Sequence, residues 1–534
     1  MMQDFVDAAI QKGYDRSGFS DQKWEDFDKV ADGRDVVLYG VGNGAICFIY
    51  QYGDVIDIRC AIDRDHAGES LDEYDFRIPD QTDVNYKEMI VKGTDLLSEM
   101  NPDKTVILVT SLKQYPEICE GLKNLGFRHL FSYLCMEANR RREEINAEHF
   151  SPRKVFIDWC CTQPVEEKKV FVQALGGYCG HARQVVEQLE KMSTDLSFVW
   201  ELSHKGVEFP AEKNKVIAGS KAFYYEMATA HVWIKELGIS REIQKRPEQI
   251  YIQLKHWASV TLKLFGLPRF LYWSKSQKDA NEEDARSYWK RNAESIDLAV
   301  VGSDFDERTF REGYVYNGEF LRAGSPRSDI LFEADSYREK IRKLYHIPAG
   351  TKILLYAPTY RYAGSEMLSK FKDMNVDYSL LRESLVKRFG GDWVILLRLH
   401  PGIRDAQKEM DYPDFVRNAS SYHDSEELVA ASDAMLADYS SIMFEPAFIE
   451  KPVFLFIPDY VEYTKNEMDF LMPFEELPFD KAFSNKELSE QILNFNEENY
   501  KQRLDSFMKK YGVHEDGHAS ERAARAILEL MKKK

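Results

Sequence analysis

The stretch Ser432-Asp-Ala-Met-Leu-Ala-Asp-Tyr-Ser-Ser-Ile-Met-Phe-Glu445 sets two adjacent hydroxyls between an apolar run and a helical pattern. Ala434 to Ala437 read as the end of a buried strand and Asp438 to Ser441 as a tight turn. Ile442 onward reads as a helix, because Met443, Ala447 and Phe448 fall on one face. Free backbone N–H groups point outward at a helix start, and the helix dipole favours negative charge there. Ser440 and Ser441 add hydroxyl donors, so the arrangement suits a phosphate group without a Walker lysine. The same serines also suit simple capping, with Ser440 as an N-cap.

Three other segments carry matching chemistry. Ile353-Leu-Leu-Tyr-Ala-Pro-Thr-Tyr-Arg361 reads as a strand running into a polar turn. Trp393-Val-Ile-Leu-Leu-Arg-Leu-His-Pro401 reads as a strand ending on His400. Ala323-Gly-Ser-Pro-Arg-Ser-Asp329 reads as a loop carrying Arg327 just before another helix. Ligands of open α/β sheets bind outside the carboxyl ends of the strands, where Arg361, His400 and the two serines fall.

In this order the four segments resemble the CDP-glycerol glycerophosphotransferase family, the teichoic-acid polymerases and primases with a GT-B fold. That family commonly reads Gly-x-Pro-Arg-x-Asp, Tyr-Ala-Pro-Thr-x-Arg, Arg-x-His-Pro and Asp-Tyr-Ser-Ser, and the resemblance covers about Val155 to Asp459. It extends to Gln253-Leu-Lys-His256, where the family has Gln-x-x-His followed by a lysine, here Lys263. Trp257 stands where a glycine or alanine is usual, and Tyr178-Cys-Gly-His181 replaces a polar Ser-Asp-x-Pro stretch.

The resemblance implies transfer of a glycerol phosphate unit from CDP-glycerol, with CMP leaving. His256 and His400 become the catalytic pair, His256 as base and His400 as phosphate partner, although the sequence permits the reverse. Lys263, Arg327, Thr359, Arg361, Asp438, Ser440 and Ser441 become substrate contacts, with Glu445 on ribose hydroxyls. CDP-glycerol enters as donor substrate, and no cofactor or metal is required. The partners implied are a CDP-activated polyol and a lipid-linked or polymer acceptor. A GT-B glycosyltransferase or UDP-sugar epimerase shares the fold, and a non-catalytic nucleotide-binding scaffold is the alternative of another class.

The elements that must position these groups form an α/β chain. Its 534 residues suggest three domains. A small N-terminal Rossmann-like α/β domain is expected over 1–145, then a GT-B-like pair of Rossmann-type domains, acceptor-side over 146–323 and donor-binding over 324–534. In the first, Asp35-Val-Val-Leu-Tyr-Gly-Val-Gly-Asn-Gly-Ala45 reads as a strand and glycine turn. Gly40, Gly42 and Gly44 depart from the full dinucleotide fingerprint, and Asp63 sits at about the spacing of a ribose-binding acid, so a second nucleotide site competes with a structural role. Ala519 to Lys534 reads as an amphipathic helix of the kind that crosses back over a GT-B cleft.

The net charge of −18 argues against nucleic acid as a partner. No apolar run approaches the ~20 residues of a membrane span, and the N-terminus lacks a secretory pattern, so a cytoplasmic location is expected. The seven cysteines show no Cys-x-x-Cys pair and read as free thiols. Asp304-Phe-Asp306 and Asp63-Arg-Asp65 have metal-transferase spacing but read as surface acids. Leu264 to Trp273, apolar and flanked by Lys255, Lys263, Arg269 and Lys275, suits either a lipid-linked acceptor at the inner face of a membrane or core packing.

Overall fold

A computed structural model describes residues 27–41, 45, 48–49, 57–71, 89–110, 115–132, 152–239, 243–262, 282–359, 375–399, 412–466 and 470–534. The chain divides into two compact units. The first takes residues 1–167, 199–207 and 212–230, and the second takes 168–198, 208–211 and 231–534.

In the first unit, strands β1 (Asp35–Tyr39), β2 (Ile58–Ile62), β3 (Thr105–Val109) and β4 (His129–Ser132) form a parallel sheet in the order β2-β1-β3-β4. Short runs such as Val106-Ile-Leu-Val109 are wholly buried, as parallel strands covered on both faces must be. Gly40 follows β1 at φ 103°, a conformation that suits glycine. Gly42 and Gly44 lie outside the described residues.

The second unit holds two parallel arrays. Strands β5 (Glu166–Gln173), β8 (Ala230–Lys235), β9 (Ile250–Gln253), β10 (Leu298–Val301) and β11 (Phe320–Arg322) follow the order β11-β10-β9-β8-β5. Strands β6 (Ser197–Leu202) and β7 (Asn214–Ile217), most of whose residues belong to the first unit, pair in parallel with each other. Strands β12 (Lys352–Tyr356), β13 (Trp393–Leu397), β14 (Val416–Asn418), β15 (Ala434–Ala437), β16 (Val453–Phe456) and β17 (Asp480–Ala482) form a six-stranded parallel sheet, order β14-β13-β12-β15-β16-β17. Its core also takes in Val260, Leu262 and Phe305 from the β9–β11 segment.

Two local features differ from expectation. The chain after β15 does not enter a full helix. Ser441–Met443 is a 3-10 turn and Phe444–Phe448 a helix of 5 residues, closed where Glu450 takes φ 57°. Pro446 adds to this brevity, since it removes a backbone donor. Asp306 is buried rather than on the surface, whereas Asp304 stays exposed.

The C-terminal helix Ala519–Met531 packs on the helix Gly180–Met192 and on the turn Pro326–Glu333. Asp329 caps it. Its carboxylate accepts from Ala519 N at 3.0 Å and Ser520 N at 2.7 Å, satisfying donors that have no partner within the helix. This carboxylate therefore joins the Arg327 loop to the C-terminal helix. Asp329→Ala leaves two buried N–H groups orphaned and should cost about 1–3 kcal/mol. Thermal unfolding should show a lowered midpoint, and amide exchange at Ala519 and Ser520 should quicken; unchanged exchange at both would refute the cap.

Candidate functional site

His256 follows β9 by three residues, where the chain leaves the sheet. It is half-buried, and its Nδ1 is buried with no hydrogen-bond partner. Burial, together with the nearby Arg327 charge, lowers its pKa to about 4. The imidazole is therefore neutral at ordinary pH, the form that can accept a proton.

Arg327 meets it from the loop after β11. Its Nη1 donates to the His256 carbonyl at 2.8 Å. Its Nη2 pairs with Glu426 and lies 3.4 Å from Glu445 Oε1. Glu445 was expected on ribose hydroxyls; one of its oxygens instead faces Arg327, while Oε2 is buried and unpartnered. Arg327 Nε and the hydroxyls of Ser325 and Ser328 are likewise buried without partners. Such a cluster of unsatisfied groups is costly unless a ligand or solvent completes it.

The β15 turn carries Ser441, whose Oγ lies 2.8 Å from Thr261 Oγ1 and accepts from Leu262 N at 3.1 Å, tying the turn to the chain after His256. Ser440 occupies the N-cap position of the 3-10 turn, with no side-chain capping bond. Thr359 and Asp438 are tied to each other: Asp438 Oδ1 accepts from Thr359 N at 2.9 Å and from its hydroxyl at 2.7 Å. This tie fixes the ends of β12 and β15 side by side. The structure thus brings together His256, Arg327 and Glu445, while Ser441 is held on Thr261 and Leu262. Lys263, Arg361 and His400 lie outside the described residues. Asp63 sits in the first unit, its carboxylate accepting from Val41 N at 3.3 Å, Asp65 N at 2.8 Å and His66 N at 3.2 Å. Those bonds hold a loop, so the acid expected on ribose is engaged with backbone.

Several residues at the site were not singled out by their pattern. His181 is buried, its Nε2 2.9 Å from the Trp257 carbonyl and its Nδ1 3.4 Å from Arg327 N. A neutral ring with the proton on Nε2 satisfies both, and burial lowers its pKa to keep it neutral. Glu236, at the end of β8, accepts from Leu175 N at 2.9 Å and Ala182 N at 3.1 Å, and burial pushes its pKa up to about 7. Arg183 reaches Asp424 at 3.0 Å and Glu427 at 2.6 Å. Lys255, read as one of the bases flanking an apolar segment that suits either a membrane contact or core packing, is fully buried and paired with Asp306. Among the described residues no group of three His, Cys, Asp or Glu side chains is arranged to hold a metal ion. No described helix is long and apolar enough to cross a membrane.

Parallel sheets whose strand-end loops converge on these polar groups define a GT-B-like α/β protein. Structures of the wall teichoic acid polymerase TagF share this fold, with a TM-score of 0.63 at 24% identity over 74% of this chain and 98% of that one. Residues 155–529 match the model of the CDP-Glycerol:Poly(glycerophosphate) glycerophosphotransferase family, and the chain belongs to that family. The teichoic acid poly(glycerol phosphate) polymerase of Staphylococcus epidermidis is 26% identical over 375 residues, 67% of this chain and 50% of that protein. The chain thus spans half the length of that relative. The teichoic acid glycerol-phosphate transferase of Staphylococcus aureus is 26% identical over 361 residues, 66% of this chain and 90% of that protein. The teichoic acid ribitol-phosphate primase of Bacillus spizizenii is 31% identical over 238 residues, 43% of this chain and 58% of that protein.

Glu515 ties the two loops of the site together, accepting from Ser259 Oγ and from Ser325 N at 3.0 Å. Burial pushes its pKa up to about 8. The folded state therefore holds a proton that the unfolded chain releases above its ordinary carboxyl range. The stability this gives is complete below about pH 4.5 and is lost as pH rises through about 8. Glu515→Gln should remove that dependence, so its melting temperature should gain on the parent's between pH 5 and pH 8.5. Parallel melting curves across that range would refute a protonated Glu515.

Proposed function

We propose that this chain transfers glycerol phosphate, or a related polyol phosphate, from a CDP-activated donor to an acceptor hydroxyl in teichoic-acid or capsule-like polymer synthesis. The observation that carries this reading is the neutral His256 imidazole beside Arg327, in a chain of the glycerophosphotransferase family.

An acceptor hydroxyl attacks the β-phosphorus of the donor. The acceptor O–P bond forms, the bond to the CMP oxygen breaks, and His256 takes the hydroxyl proton. A base with a pKa of about 4 is weak, but it stays unprotonated at every working pH. Negative charge grows on the leaving CMP oxygen and calls for fixed donors. Arg327 offers its unpartnered Nε, its two terminal nitrogens being engaged by the His256 carbonyl and by Glu426 and Glu445, and Ser440 offers a hydroxyl free of capping. Lys263, Arg361 and His400 are proposed as further phosphate contacts on the family motif alone. Glu445 Oε2, buried and unpartnered, suits a hydroxyl of the donor. Thr359 and Asp438 act by holding the turn that carries the serines. The donor is the only small molecule this scheme uses, and the acceptor is a polymer or lipid-linked chain at the inner membrane face.

Incubation with CDP-glycerol, CDP-ribitol and UDP-sugars, scoring CMP against UDP, tests this. CMP release with a CDP-polyol is expected; UDP release alone would favour a glycosyltransferase or epimerase. His256→Ala should lower turnover about 10²–10⁴-fold with the melting temperature preserved. The acid limb of kcat/KM should have its midpoint near the lowered His256 pKa of about 4, leaving the rate flat from neutral pH down to about 5. A limb near the ordinary histidine value of about 6.5 would remove His256 as the base.

A further inference from the structure

Lys255, immediately before His256, takes φ 80°, a left-handed conformation that non-glycine residues adopt only under constraint. This twist takes the chain out of the direction of β9 and sends His256 toward Arg327. Something must hold it there.

The helix Asp304–Tyr314 does so at both neighbours of His256. On one side, Lys255 Nζ pairs with Asp306 and donates to the Ala258 carbonyl at 3.2 Å. On the other, Trp257 Nε1 donates to Asp306 Oδ1 at 2.9 Å. The Trp257 ring lies against Tyr314 of the same helix, centroids 6.0 Å apart and planes at 22°, and meets the His256 imidazole edge-on at 5.1 Å. Asp306 is itself fixed. Its N–H is capped by Ser303 Oγ at 2.9 Å, and Oδ2 accepts from Gly302 N at 2.9 Å. The Ser303 hydroxyl donates onward to the Ser259 carbonyl at 2.6 Å. Gly302 allows the close approach: a Cβ there would lie 1.7 Å from Ser259 Oγ.

We propose that Asp306 is a positioning residue for His256, acting through Lys255 and Trp257. The proposal rests on the reading of His256 as the base. A buried ion pair is a poor source of net stability, since an apolar pair of similar volume does as well or better. What Lys255 and Asp306 supply, and an apolar pair would not, is a directional tether on a strained turn. Trp257 supplies the second tether. Asp306 touches no part of the imidazole, so it sets the aim of the ring and takes no part in proton transfer.

The test uses the whole chain in two variants. Lys255→Met with Asp306→Asn removes the ion pair while keeping volume and the acceptor for Trp257. Trp257→Phe deletes the indole N–H and part of the ring's bulk against Tyr314. Each should lower kcat about tenfold or more while leaving the KM for CDP-glycerol within about threefold, the pattern of a misaimed base. Independently of activity, the His256 imidazole should be followed by histidine-labelled NMR. In at least one variant its midpoint should rise by about one pH unit or more from the parent's value of about 4, as a ring released from its buried seat regains solvent. Lys255→Arg, which keeps the charge pair, should retain the parent's titration. If the His256 midpoint stays put in both test variants, the proposal is overturned. If the parent releases no CMP from any CDP-polyol, the transfer reading fails, and the titration alone decides whether Asp306 aims His256.

Discussion

A buried guanidinium must be matched by acceptors, and Arg327 imposes that condition on everything around it. Leaving such a charge unpaired costs several kcal/mol, so the groups that answer it cannot be arranged freely. The His256 carbonyl answers from the end of β9, Glu426 from the helix Ser425–Ala431, and Glu445 from the short helix after β15. Three segments far apart in sequence are drawn to one point by one cation.

The same match has a consequence for anion binding. Arg327 is not an empty positive hole, because Glu426 and Glu445 already face it. In the proposed reaction a phosphate would have to share or displace a carboxylate. Such exchange trades one charge-assisted bond for another, so affinity depends on the difference between them. Burial raises the Glu445 pKa, while the Arg327 charge opposes that rise, so phosphate and proton can act on the same carboxyl.

The parts legible in the sequence were those set by neighbours along the chain. Strands such as Trp393–Leu397 and Ala434–Ala437 follow from short apolar runs between turns. The helix Ala519–Met531 follows from its apolar face. Arg327 stood out because it falls in a loop just before a helix, within a Gly-Ser-Pro-Arg-Ser-Asp run that resembles the family's motif. What escaped was set by partners distant in sequence. Lys255 and Asp306 are 51 residues apart, and His181 and Trp257 are 76 apart. Nothing local marks either pair. An acid two residues after another looks like surface until its lysine is located. Glu445 was legible as a polar group on a helix start, but its direction toward Arg327 was not, because that depends on a loop more than a hundred residues earlier.

The Asp329 cap links the order of synthesis to the order of assembly. Helix Ala519–Met531 emerges from the ribosome long after the loop that Asp329 shares with Arg327. Domains generally fold as their residues emerge, N-terminal parts first. Until that helix arrives, Asp329 has no N–H groups to accept and Glu515 has not reached Ser259 and Ser325. A nascent chain can therefore build both sheets of its second unit and still lack a fixed arginine loop. The arginine loop is therefore fixed only once Ala519–Met531 has been made, long after the sheets it borders.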